Sequence, residues 1–137
     1  MANDDFIARL NAADRFCVHN NIRLLRAGGG SSEAELDVTP EALNAGGVVQ
    51  GGAIFTLADF AFAGAANAEA PEGERMVMMS SSITVVRPGT GARLRAETRT
   101  LSRGRRTGLF ETRIFDGEER LVAVVITNGF LTRTAEH

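Results

Sequence analysis

The chain has 137 residues, 44% hydrophobic and 23% charged, with a net charge of −2, which is the size of one domain able to bury a core without staples. All 15 basic residues are arginines; there is no lysine, one cysteine (Cys17) and only two histidines, His19 and His137. Lysine Schiff-base and pyridoxal-phosphate chemistry is therefore excluded, an internal disulfide is impossible, a Cys/His metal site lacks ligands, and a Ser-His-Asp triad has only His19 to rest on.

In chain order, residues 3–17 place Phe6, Leu10, Ala13 and Cys17 at helical spacing behind Asn3 as cap, which predicts a short amphipathic N-terminal helix. Ile22–Arg26 and Glu33–Val38 read as two short strands about a turn at Gly28-Gly29-Gly30-Ser31. That triple glycine precedes a strand, so it lacks the helix a phosphate-cradling loop needs. Residues 39–50 read as a loop with Pro40, Gly46 and Gly47. Gly51–Ala68 (GGAIFTLADFAFAGAANA) is apolar or glycine except for Thr56, Asp59 and Asn67, which predicts a helix buried all round. Ala61, Gly64, Ala65 and Ala68 leave room for a sheet to approach it closely.

After Pro71 the apolar period changes from 3.6 to 2. Strands are expected at Met76–Val86, Gly91–Leu101, Thr107–Phe115 and Arg120–Leu131, with turns at Arg87-Pro88-Gly89, Gly104 and Asp116-Gly117. The expected architecture is α+β: one domain over 1–137, a long buried central helix wrapped by a curved antiparallel β-sheet, and a short N-terminal helix.

Asp59 is the single charge in the apolar helix, and burying a carboxylate without partners costs several kcal/mol. Just upstream lies Asn44-Ala45-Gly46-Gly47-Val48-Val49-Gln50-Gly51-Gly52, with amide side chains beside bare backbone N–H groups at a helix start. Such a start favours an anion or a developing oxyanion. With Asp59 on the same helix, it is a candidate acyl-transfer site. Gly52 and Asp59 are seven residues apart, roughly 10 Å along a helix at ~1.5 Å per residue, too far to grip one reaction centre within a chain. Cooperation then requires a homodimer in which Asp59 meets the glycine loop of the partner across a two-fold axis.

Charge is unevenly spread. Residues 1–74 carry four arginines against eleven acids, and residues 87–113 carry eight arginines against Glu97 and Glu111. The arginines suit either solvated strand faces or a landing surface for a multiply phosphorylated ligand. Nucleic acid is not the expected partner, because aromatic residues are 6% with no Trp or Tyr. No apolar run reaches the ~18 residues of a membrane span. The N-terminus does not read as a secretory signal, so a cytoplasmic protein without a membrane partner is expected.

The pattern Asn44-x5-Gln50-Gly51-Gly52-x2-Phe55-x-Leu57-Ala58-Asp59, followed by Phe60-Ala61-Phe62-Ala63 and Asn67, resembles the signature of hot-dog-fold thioesterases, in particular the PaaI-like (phenylacetate-pathway) acyl-CoA thioesterases. The resemblance runs through Ile83-Thr84-Val85-Val86-Arg87-Pro88-Gly89 and Gly104-Arg105, roughly residues 20–131. It implies hydrolysis of an acyl- or aryl-CoA thioester, with CoA as part of the substrate and no separate cofactor or metal, by dimers that pair into tetramers. It also implies that Asp59 is general base or nucleophile, that the Gly52 N–H polarises the thioester carbonyl, and that Asn44 positions the nucleophile or water. Gly51 and Ser82 then belong to the substrate site, and Arg87, Arg103, Arg105 and Arg106 to the CoA phosphates. Where the family's motif has His-Gly-Gly, this chain has Gln50-Gly51-Gly52. Glutamine donates a hydrogen bond but does not titrate, which leaves Asp59 as the acid/base group and makes a His-dependent dehydratase a poor fit. The same substitution motivates the alternative, a non-catalytic acyl-CoA binding or sensing module.

Overall fold

The computed structural model describes residues 3–133, so His137 lies outside the described residues. The N-terminal apolar spacing folds as two helices, α1 (Asp4–Ala13) and α2 (Arg15–His19), not as the single helix expected over 3–17. Asp14 makes the break. Its backbone is extended, and its carboxylate accepts from the Cys17 N–H at 3.0 Å, capping α2. Asn3 caps nothing with its side chain; its amide donates to the Ala27 carbonyl (2.9 Å) and to Glu69 (2.8 Å), holding α1 on the sheet.

Six strands follow the period-2 pattern: β1 (Ile22–Gly28), β2 (Ser31–Asp37), β3 (Glu74–Val85), β4 (Arg93–Arg103), β5 (Thr107–Phe115) and β6 (Leu121–Arg133). They form one antiparallel sheet in the order β1-β2-β4-β5-β6-β3, which leaves β1 and β3 at the edges. Gly29 and Gly30 turn β1 into β2 with φ of 63° and 78°, left-handed values that suit glycine. At the β5–β6 hairpin the Asp116 carboxylate accepts from the N–H groups of Glu118 (2.9 Å) and Arg120 (3.0 Å). Residues 39–50 are more ordered than a plain loop. They contain a short 3₁₀ turn (Pro40–Ala42) and a Leu43–Val49 bridge, and the Val49 N–H donates to the Gly89 carbonyl at 2.9 Å.

The central helix, α3 (Gly51–Asn67), lies across the inner face of this sheet. Ile54, Leu57, Ala58 and Ala61 pack on Leu24, Ala34, Leu36, Leu94, Ala96 and Ile114. Phe62, Ala65 and Ala66 pack on Met76 and Phe110, with the Phe62 and Phe110 rings edge to face at 5.1 Å. Close approach depends on Gly64, because a Cβ there would stand 2.7 Å from a Leu24 methyl. Two asparagines seal the strand edges beside the helices. The Asn11 amide bonds both the N–H and the C=O of Leu24 (2.7 and 2.9 Å), and the Asn67 amide does the same for Met76 (2.7 and 3.0 Å).

The helix is not buried all round. Leu57, Ala58, Phe60, Ala61 and Phe62 are buried, but a stripe of Gly52, Thr56, Asp59, Ala63 and Asn67 stays partly or fully open within the chain. Those positions step by three or four residues, so they share one face. The apolar composition hid the stripe because glycine and alanine supply two of its five members.

On the outer face of the sheet the arginines are paired. Arg23 and Arg93 bind Asp37 (2.8 and 3.0 Å) and flank the nearly buried Glu35; Arg99 and Arg113 share Glu111 at 3.1 Å; Arg95 binds Glu97 and Glu119. Each exposed pair adds about 0–1 kcal/mol, so this ladder fixes strand register more than it stabilises the fold. No helix among the described residues is long and apolar enough to cross a membrane.

Candidate active site

Asp59 sits midway along the open stripe of α3, half-buried, and its carboxylate makes no hydrogen bond or ion pair among the described residues. Burial raises its proton affinity above that of an ordinary aspartate. The nearby Asp14 carboxylate adds to the rise, and Arg75 opposes it. Both neighbours were missed in the sequence. Asp14 stands at the break between α1 and α2, and Arg75 precedes Met76, which Asn67 clamps to the helix. Cys17, buried beside the same carboxylates, has its thiol pushed up to about 12, first by burial and then by Asp14, which makes it an inert core residue.

The glycine loop is built by its own amides. The Asn44 Oδ1 accepts from Gly46 (2.9 Å) and Val48 (3.3 Å), while the Asn44 backbone N–H donates to the Val48 carbonyl at 2.7 Å. This leaves the Asn44 NH₂ as a donor with no partner among the described residues. Asn44, Gly51, Val85, Val86 and Arg87 line one cleft of about 410 Å³ beside the helix start. Gln50 and Gly52 line a separate hollow of about 380 Å³ with Phe16, Leu43 and Thr56. Gln50 is the N-cap of α3, and its Oε1 accepts from the Gly52 N–H. The Gly52 N–H, which the resemblance assigns to a carbonyl, is thus held by Gln50, the residue standing where the resembled motif has histidine.

The remaining candidates lie apart. Ser82 is exposed on β3 and makes no hydrogen bond to Asp59 within the chain. Its neighbour Ser81 is the serine that turns to the sheet, bonding Thr127 Oγ1 (2.9 Å) and the Ile126 carbonyl (3.2 Å). Arg103 donates to the Ala66 carbonyl at 3.1 Å, at the C-terminal end of α3, where a cation complements the helix dipole. Arg87, Arg105 and Arg106 form no ion pair among the described residues, and neither does Arg103. Of the eight arginines in 87–113, then, pairing on the outer face takes Arg93, Arg95, Arg99 and Arg113, and leaves the four assigned to phosphate. Within one chain, however, Arg103 and its turn lie at the opposite end of α3 from Gly52, fourteen residues or roughly 21 Å along the axis from Ala66.

Comparison with known proteins bears on this arrangement. The sequence pattern of the Thioesterase superfamily matches residues 46–123, which include the glycines of the loop, Asp59 and strands β3, β4 and β5. The acyl-coenzyme A thioesterase PaaI of Escherichia coli is 32% identical over 96 residues, 69% of this chain and 66% of the relative. The chain spans about two thirds of the length of the curated relatives it matches, 65% and 66%. A solved structure of the phenylacetic acid degradation protein PaaI of Thermus thermophilus, in a mutant form, is 30% identical with a TM-score of 0.78, covering 85% of this chain and 98% of that one. The E. coli PaaI structure superposes with a TM-score of 0.86 at 24% identity, over 98% of this chain and 94% of that one, and it shares the fold. The six-stranded curved sheet around one central helix is the hot-dog fold.

Proposed function

We propose a reaction for this chain, which belongs to the Thioesterase superfamily and is PaaI-like: it hydrolyses an acyl- or aryl-CoA thioester to the free acid and CoA. The observation that carries the reading is Asp59, a half-buried carboxylate with raised proton affinity and no hydrogen-bond or ion-pair partner among the described residues. A carboxylate tuned upward is a better base near neutral pH. As general base, Asp59 takes a proton from water as the water oxygen adds to the thioester carbonyl. As nucleophile, it adds to that carbonyl itself and water then cleaves the anhydride. In both routes the C–S bond breaks and the thiolate leaves as CoA, so the reading calls for no cofactor or metal beyond the substrate.

The second half of the site comes from the partner subunit in this reading. Among the described residues the edge strand β3 pairs only with β6, and it carries exposed Met79 (58%), Val85 (48%) and, just beyond its end, Val86 (57%). An unpaired edge strand with exposed apolar residues and no proline is a template for a second copy. Antiparallel pairing of β3 with its two-fold mate sets the start of one strand, Arg75 near Asp59, opposite the end of the other, Val85 and Val86 beside Asn44 and Gly51. This supports a homodimer with two interface sites, each joining Asp59 of one protomer to Asn44, Gly51 and Gly52 of the other. Exposed Phe16 (63%) and Val18 (55%) on α2 are left for the pairing of dimers into tetramers. Arg87, Arg103, Arg105 and Arg106 receive the CoA phosphates, and Ser82 on the paired edge faces the site.

The capture of the Gly52 N–H by Gln50 favours the one competing reading, acyl-CoA binding without turnover. Release of free CoA from a panel of short-chain, aryl and long-chain acyl-CoAs separates the two, with Asp59→Asn as the control. The thioesterase reading expects turnover that Asp59→Asn abolishes. Binding without CoA release on every substrate would support the sensing module, and turnover surviving Asp59→Asn would remove Asp59 from the chemistry.

A further inference from the structure

The Gly52 N–H is already engaged, because it donates to the Gln50 Oε1. A carbonyl oxygen that used this N–H would first have to break the cap of α3. We propose that Gln50 is the donor instead: its NH₂ polarises the thioester carbonyl, and the Gly52 N–H is the group that orients it. The inference rests on the acyl-CoA reading and reassigns the donor within that site.

The local geometry supplies what a fixed donor needs. An N–H meets an oxygen, so the bond to Gly52 decides which end of the carboxamide turns to the helix. The NH₂ end is left with no partner among the described residues. The backbone beneath it is pinned. The Gln50 N–H donates to the Ala42 carbonyl at 2.8 Å, and the Gln50 carbonyl accepts from Ala53 (2.9 Å) and Ile54 (3.2 Å). Gly52 is braced as well, since Thr56 Oγ1 donates to its carbonyl at 2.8 Å. Glycine at 52 makes room for the amide: a Cβ there would stand 2.6 Å from Oε1 and push it aside, whereas one at Gly51 meets nothing within 4 Å. Asn44 repeats the device, its Oδ1 turned to the Gly46 and Val48 N–H groups and its NH₂ left over.

The chemistry follows from that polarity. As oxygen adds to the thioester carbon, the carbonyl oxygen gains negative charge, and a donor already in place stabilises it without rearrangement. The first N–H groups of α3 carry the positive end of the helix dipole. Donation into Oε1 polarises the carboxamide and strengthens its NH₂ as a donor. No proton leaves Gln50. Histidine, which stands here in the resembled motif, offers the same pair when neutral: one ring nitrogen accepts and the other donates. Glutamate keeps the acceptor and loses the donor, and alanine loses both.

The test measures melting temperature and kcat for CoA release from acetyl- and benzoyl-CoA at pH 8, in wild type, Gln50→Glu, Gln50→Ala and Gln50→His. Gln50→Glu should keep the melting temperature and lower kcat about 10²–10³-fold, the cost of one oxyanion donor. Gln50→Ala, which controls for the added charge, should lower both. Gln50→His should stay within about tenfold of the wild-type kcat, its imidazole being neutral at that pH. A Gln50→Ala variant faster than wild type would make Gln50 a latch over the Gly52 N–H, and a Gln50→Glu variant as active as wild type would make it a cap alone; either result overturns the inference. Nitrogen-15 NMR with a ketone analogue of acetyl-CoA, CH₂ replacing the sulfur, separates the donor from the reaction. The ketone should shift the Gln50 side-chain NH₂ resonance. If no acyl-CoA is turned over but that shift appears and Gln50→Glu weakens the ketone at least tenfold, the donor stands and the hydrolase reading falls. If the ketone binds without the shift, or fails to bind, the donor falls.

Discussion

The two ends of α3 treat their polar groups in opposite ways. At the N-terminal end, Asn44 and Gln50 satisfy the glycine-rich backbone locally, and the segment lies near the surface apart from the buried Val49. At the C-terminal end, Gly64 is pressed on Leu24, Asn67 grips Met76 and Arg103 closes on Ala66, so nearly every group is committed to packing. Asp59 lies between the two and belongs to neither. The contrast teaches that the exception on this helix is the lack, among the described residues, of a hydrogen-bond or ion-pair partner at Asp59, more than its charge. A structural aspartate would be bonded, as Asp14, Asp37 and Asp116 all are.

The largest effect should come from removing that exception. Asp59→Asn is expected to lower kcat by about 10²–10⁴, the usual contribution of a positioned acid or base. The same change should raise the melting temperature at pH 7. Folding raises the proton affinity of Asp59, so the folded state keeps this proton to higher pH than the unfolded chain does. Stability is therefore lost as pH climbs above ~3.9, and the loss is complete above the folded-state pKa. The stabilisation by Asp59→Asn should fade as pH falls through that window. A variant less stable than wild type at pH 7 would give Asp59 a structural duty.

Glycine-to-alanine substitution sharpens the contrast between the ends. Gly64→Ala should destabilise by about 1–3 kcal/mol in denaturant titration, because its Cβ would sit 2.7 Å from Leu24 in a packed core. Gly51→Ala, with nothing within 4 Å, should be neutral or slightly stabilising, within ~1 kcal/mol. Gln50→Ala should cost about 1 kcal/mol as a lost cap. The smallest expected effect is that of Asp14→Asn. Asparagine still caps α2, so stability should hold, but the charge that raises Asp59 is gone. The acid limb of the kcat/KM profile should then move to lower pH; an unmoved limb would detach Asp14 from the site.

Much of this was legible in the sequence because its signals are local. The switch from period 3.6 to period 2 after Pro71, the Asp116-Gly117 hairpin and the small-residue face of α3 each follow from neighbouring residues, and the family resemblance rests on the segment from Asn44 to Asn67. What was missed depends on contacts distant in sequence. Phe6, Leu10, Ala13 and Cys17 keep their spacing across a helix break that Asp14 creates by turning its side chain back on Cys17. A bulge between Met78 and Ser80 shifts the β3 register, and Ser81 is the serine that bonds the sheet. Which arginines are neutralised depends on cross-strand register, since Glu111 meets Arg99 only once β4 and β5 are paired.

The claim that one site is shared by two protomers is tested most directly by complementation. Asp59→Asn and Gly52→Pro each remove one half of the proposed site; proline removes the N–H while remaining tolerable in the first helical turn. Each variant alone should be inactive. Co-refolded as heterodimers, verified by mass, they should recover CoA release, because one of the two sites at the interface then carries an intact Asp59 and an intact Gly52. Verified heterodimers with no more activity than either parent would contradict a site built across the interface.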